Sequence, residues 1–136
     1  MRVIIGCGNE LRGEDAFGVD VIKKLQELQL PNTKLISTHQ LTPEIALDLL
    51  CAHELIFIDA AYDIEEQYTL SCPVLRQSGL NISHHIEPKY LVEILKSLYN
   101  KTPDFCVFSM TSCSFDAIED EKKYNLNVEK IVSYLS

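Results

Sequence analysis

Two hydrophobic periods alternate along the first sixty residues, and no other feature narrows the possible folds as much. Val3-Ile4-Ile5 is a short β-branched run that stops at Gly6, the pattern of a strand covered on both faces. Ala16–Leu28 then places apolar residues at 17, 21, 22, 25 and 28, a helical stripe with Lys23, Lys24 and Glu27 outside it. Pro31-Asn32 breaks the stripe, and Lys34–Ser37 reads as a second short strand. Thr42-Pro43-Glu44 has the form of an N-cap followed by proline at the first helical position, with Ile45–Cys51 continuing that helix. Glu54–Asp59 is the clearest strand, Leu-Ile-Phe-Ile running into Asp59. Strand, helix, strand, helix, strand in this order predicts a parallel sheet with right-handed crossovers and helices on both faces.

Later segments extend the pattern. Gln67–Leu75 alternates and suits a strand nearer an edge. Ser83–Pro88 reads as a loop before a helix over Lys89–Tyr99, and Phe105–Met110 as a strand. Ser112–Asn125 is polar and acidic and reads as a solvated loop, with a terminal helix over Asn127–Leu135. The expectation is an α/β three-layer sandwich with a mostly parallel five-stranded sheet. Its strand order begins 2-1-3, with the two later strands beyond the third. At 136 residues there is room for one core, so residues 1–136 are read as a single domain.

Composition excludes more than it identifies. Twenty acids against 12 bases give a net charge of −8, which counts against nucleic acid or an anionic membrane as partner. No apolar run is long enough to span a bilayer, and the start is too short for a signal-peptide core; a cytoplasmic location is expected. Five cysteines, an odd number with no C-x-x-C spacing, are read as reduced and mostly buried thiols.

Ligands of such sheets gather beyond the carboxyl ends of the strands, here strands 1 and 3. The loop after strand 1 is Gly6-Cys7-Gly8-Asn9-Glu10-Leu11-Arg12-Gly13-Glu14-Asp15-Ala16-Phe17-Gly18. It fails the dinucleotide fingerprint, because Leu11 stands where the third glycine belongs, and it lacks the Gly-Lys-Ser/Thr of a P-loop. Asp15 lies just before the first helix and is equally readable as a capping acid. Asp59 ends an apolar strand, where a charge is costly unless paired, hydrogen-bonded or metal-bound. His84 and His85 lie in the loop before the Lys89–Tyr99 helix. Two carboxylates and one imidazole from three loops would form an open N/O site suited to a divalent transition ion such as zinc or nickel.

Taken in order, these segments resemble the hydrogenase maturation endopeptidases. The residues are Gly6 to Val19, then Leu41-Thr42-Pro43-Glu44, Phe57-Ile58-Asp59-Ala60, Ser83-His84-His85 and Ser114-Phe115-Asp116. The resemblance implies a single α/β sandwich. It also implies an aspartyl-type peptidase that trims the C-terminal extension of a [NiFe] hydrogenase large subunit after nickel insertion. The family's metal-contacting acid falls on Asp15, its strand-end aspartate on Asp59 and its histidine on His85. Asp15 and Asp59 are thereby the implied catalytic acids, as ligands or as proton acceptors for water attack on a peptide carbonyl. Nickel would be presented by the substrate, with zinc or cadmium as substitutes in vitro. The segment His39-Gln40-Leu41-Thr42 replaces the Asp-Gly-Gly-Thr of many members. That variant resembles the subgroup serving cytoplasmic bidirectional hydrogenases, and it removes a carboxylate. A monomer is expected.

Other classes fit parts of the pattern. A non-enzymatic, nickel-sensing chaperone docking on the same subunit would use the same three ligands. A phosphate-binding module has only the glycine-rich loop in its favour. A cysteine protease would need Cys7 to have a depressed pKa and a histidine base.

Overall fold

The computed structural model describes residues 1–9, 11–63, 65–71, 87–113, 115 and 117–136. β1 (Arg2–Cys7), β2 (Thr33–Thr38), β3 (Glu54–Tyr62), β4 (Leu70–Ser71) and β5 (Asp104–Ser112) form one sheet in the order β2-β1-β3-β5-β4. The first four of these in space are mutually parallel, and β4 alone runs antiparallel, against β5. Both later strands therefore lie beyond the third, as expected. Of the segment expected as strand Gln67–Leu75, the described part pairs only at Leu70 and Ser71; residues 72–75 lie outside the described set.

Alternation of side chains sorts the strands into two cores. Ile4, Ile56, Ile58, Phe108 and Met110 face α1 (Phe17–Gln26) and α3 (Glu121–Leu135). Val3, Ile5, Leu55 and Phe57 face α2 (Pro88–Tyr99) and the 3-10 helix Pro43–Leu49. A strand that is apolar on both faces needs helices on both sides, and the chain supplies them. Among the described residues no helix is long and apolar enough to cross a membrane.

Four local expectations change. The third strand does not stop at Asp59: β3 runs on to Tyr62, paired with β5 as far as Ser112. The first helix opens with a 3-10 turn, Gly13–Ala16, so Asp15 sits inside that turn rather than just before the helix. The second helix is 3-10 throughout: its buried residues, Ala46 and Leu49, are three apart, which matches three residues per turn. The acidic stretch read as a loop is divided. β5 continues through Ser112, and α3 starts at Glu121, where the Asp120 carboxylate accepts the Lys123 amide at 3.1 Å as its N-cap. Tyr124, 2% exposed, begins the stripe that Val128, Ile131, Val132 and Leu135 continue. Charges on the outer face of the first turn hid its inward side.

Candidate active site at the carboxyl ends of the strands

The loop after β1 is closed on itself. Gly8 N donates to Thr38 O at 3.0 Å, which fixes the loop to the end of β2. Asn9 organises the next turn: its side-chain oxygen accepts the Leu11 amide at 2.9 Å, and its carbonyl accepts the Arg12 amide at 3.0 Å. The Asn9 amide in turn donates to Asp15 Oδ2 at 3.3 Å. Asp15 thus bridges back across its own loop. Gly8, at φ 147°, faces the Asp15 carbonyl so closely that a Cβ would overlap its oxygen.

Asp59 stands one residue past the β1–β3 pairing of Gly6 with Ile58. Its neighbour on β5 is Ser109, whose hydroxyl donates to Asp59 Oδ1 at 2.5 Å. Ser109 is 7% exposed, so one oxygen of the half-exposed Asp59 is held from inside the protein. The turn carrying Asp15 packs against β3. Three residues after Asp15, Gly18 lies directly on the Ile58 carbonyl, where a Cβ would also stand 2.7 Å from Cys7 N. Asp15 thus lies on a turn packed against the strand that carries Asp59.

His84 and His85 lie outside the described residues, as do Ser114 and Asp116. Among the described residues no three histidine, cysteine or carboxylate side chains form a group able to hold a metal ion. His39 is exposed immediately after β2.

The cysteines differ from expectation in burial. All four described ones are free, but Cys51 is exposed and Cys7, Cys106 and Cys113 are only half-buried. Burial of the Cys7 thiol and, secondly, the charge of Asp59 push its pKa well above the ordinary thiol range. A thiol kept neutral is a poor nucleophile.

Sequence reasoning passed over Glu14. This carboxylate is 0% exposed. Ser112 Oγ donates to Oε1 at 2.5 Å, the Glu119 amide donates to Oε2 at 3.1 Å, and the Tyr68 hydroxyl donates to Oε2 as well. Burial and the Glu14 carboxylate push the Tyr68 phenol up to about 12. Tyr68 itself sits at φ 62°, a conformation that bulky side chains rarely adopt. The one available hint was an acid wedged between Gly13 and Asp15, directly before an apolar helix face.

The fold recurs in solved structures. The [NiFe] hydrogenase maturation protease HycI of Thermococcus kodakarensis superposes over 98% of this chain and 88% of its own, with a TM-score of 0.74 and 19% identity. The hydrogenase maturating endopeptidase HybD of Escherichia coli superposes over 98% and 91%, with a TM-score of 0.72 and 18% identity. The endopeptidase HycI of Escherichia coli covers 99% and 88%, at 0.73 and 15%.

This chain has the fold of the hydrogenase maturation proteases.

Sequence likeness is narrower. A Methanocaldococcus jannaschii protein provisionally named a hydrogenase maturation protease is 50% identical over 30 residues, which is 22% of this chain and 20% of that protein. No family model matches the chain. Asp15 lies in the connection that leaves the carboxyl end of β1, and Asp59 lies within β3, one residue past its pairing with β1, on the side of the sheet where open α/β sheets bind their ligands.

Proposed function

We propose that this chain is an endopeptidase that removes the C-terminal extension of a [NiFe] hydrogenase large subunit once nickel has been inserted. The observation that carries this reading is that Asp15, on a turn packed against β3, and Asp59, in β3 one residue past its pairing with β1, lie on neighbouring elements, in a chain that superposes along 98% of its length on HycI and HybD. The His39-Gln40-Leu41-Thr42 segment favours a subunit of the cytoplasmic bidirectional type, acted on by a monomeric enzyme.

Nickel in this reading belongs to the substrate. Two carboxylates supply oxygen donors that a divalent transition ion accepts, and His85 would add an imidazole; the large subunit brings the remaining ligands. An ion so held would lend positive charge near the scissile carbonyl. Asp15 and Asp59 orient the bound tail and take the proton of the attacking water. That proton passes to the leaving amine as the carbon–nitrogen bond breaks. Ser109 keeps one Asp59 oxygen occupied, so the carboxylate has a fixed direction. The cysteines take no part.

The test is incubation with large subunit, nickel-loaded and nickel-free, at equal concentration with free nickel chelated, followed by intact mass. Trimming of the loaded subunit alone is expected. Equal trimming of both would remove the checkpoint. Binding without trimming of either would replace the peptidase with a nickel-sensing chaperone.

A further inference from the structure

We propose that Glu14 is a positioning residue: its buried carboxylate anchors the turn that carries Asp15 and thereby sets where the Asp15 carboxylate stands in the crevice. The proposal rests on the reading of Asp15 as a site residue. Its three donors come from three other parts of the chain. Ser112 closes β5, Tyr68 lies in the connection between β3 and β4, and Glu119 leads into α3. They are 98, 54 and 105 residues away from Glu14. None of them is needed to form the turn itself.

The geometry explains how such an anchor acts on its neighbour. Gly13–Ala16 is a 3-10 turn, with three residues per turn, so successive side chains point about 120° apart. Holding Glu14 inward from both of its oxygens fixes the rotation of the turn. Asp15 is then aimed at the Asn9 amide and the crevice. An apolar side chain of similar volume could fill the space, and fold stability alone gives little reason to bury a charge. A carboxylate with donors on both oxygens supplies orientation that an apolar side chain lacks.

The anchor's partners are themselves held. The Tyr68 hydroxyl accepts the Asp120 amide at 2.8 Å, its carbonyl accepts Asn127 Nδ2 at 3.0 Å, and its own amide donates to Thr111 O at 2.9 Å. A tyrosine at φ 62° persists where surrounding contacts over-determine it. The network therefore couples the Asp15 turn to the start of α3 and the end of β5.

The experiment compares wild type with Glu14→Gln, which keeps shape and loses the second acceptor oxygen. Amide hydrogen exchange is read at Asn9, whose N–H donates to Asp15, and at Ile56 in the middle of the sheet. Exchange at Asn9 is expected to rise about tenfold while Ile56 keeps its protection, the mark of local rather than global opening. In tail cleavage, kcat should fall about tenfold with KM little changed, as for a misaimed catalytic group. Unchanged exchange at Asn9, or an equal rise at both amides, overturns the proposal. If Glu14→Gln does not fold, Tyr68→Phe removes one donor and is read by the same two amides. Absence of cleavage by wild type would overturn the peptidase reading instead, and the exchange data would still decide the role of Glu14.

Discussion

The two ends of the sheet are made by the same strands and treat polar groups in opposite ways. At the amino end, Arg2, Glu54 and Asp104 begin β1, β3 and β5 at exposed or half-exposed positions. Their contacts there are simple: Arg2 Nη2 donates at 2.8 Å to Leu135 O, at the end of α3. At the carboxyl end, Glu14 and Ser112 are both 0% exposed and Ser109 is 7% exposed. Gly8 and Tyr68 there take positive φ. Polar burial costs free energy, and among the described residues it is concentrated at this end, whereas positive φ is not, since Gln29, Asn32 and Asn100 also take it. The difference teaches that the amino end is finished for stability, whereas the carboxyl end keeps groups whose orientation matters more than their contribution to stability.

The largest expected effect is at Asp59. Asp59→Asn keeps the shape of the side chain and an acceptor for the Ser109 hydroxyl, but removes the charge. Tail cleavage should fall about a hundredfold or more, with the circular dichroism spectrum unchanged. Retained cleavage in a folded variant would take the carboxyl end out of the chemistry and leave it, like the amino end, purely structural.

Next is the stability of the buried anchor. Glu14→Ala strips an acceptor from the buried Ser112 hydroxyl, the half-buried Tyr68 hydroxyl and the solvent-near Glu119 amide, and a group left unpaired in the interior costs about 1–3 kcal/mol. Urea unfolding should show a loss of about 1–3 kcal/mol. A loss below about 1 kcal/mol would mean that the carboxyl end hides polar groups no more strictly than the amino end does.

A smaller effect is confined to alkaline pH. The Tyr68 phenol stands at about 12 in the folded protein against an ordinary 10.0. Below pH 10 both states keep the proton, and the contribution is fully present. Between about 10 and 12 the unfolded chain releases it first, so stability falls as pH rises. Tyr68→Phe should flatten that part of the stability–pH curve. Superimposable curves would detach Tyr68 from the Glu14 site.

The smallest is at the opposite end. Arg2→Ala removes a donor and a positive charge from the carbonyl end of α3. It should cost about 1 kcal/mol or less and leave cleavage unaltered. A cleavage defect would show that the two ends are coupled, and the comparison would fail.

Much of the fold was legible because hydrophobic period is a local property. Val3-Ile4-Ile5 and Leu55 to Ile58 announce strands covered on both sides, and the intervening stripe announces α1. The end of β3 was less legible: Asp59 interrupts the apolar run, yet the strand continues past it to Tyr62 because β5 pairs with it that far. Other features were not legible. The start of α3 was obscured by Glu121, Lys122 and Lys123, all on the exposed side of its first turn. Ser109 carried no signal, because its importance is a register: it lies opposite Asp59 only once β3 and β5 are paired.

The sequence by itself determined the order of elements, the parallel sheet and the end of it at which Asp15 and Asp59 stand. These follow from near-neighbour patterns and the right-handed crossover. Only the tertiary structure decided which acid of the Glu14-Asp15 pair turns inward. A dipeptide of two carboxylates has no preference encoded in its own chemistry. Donors arriving from Tyr68, Ser112 and Glu119, 54 to 105 residues away, offset the desolvation of one carboxylate and leave the other at the crevice.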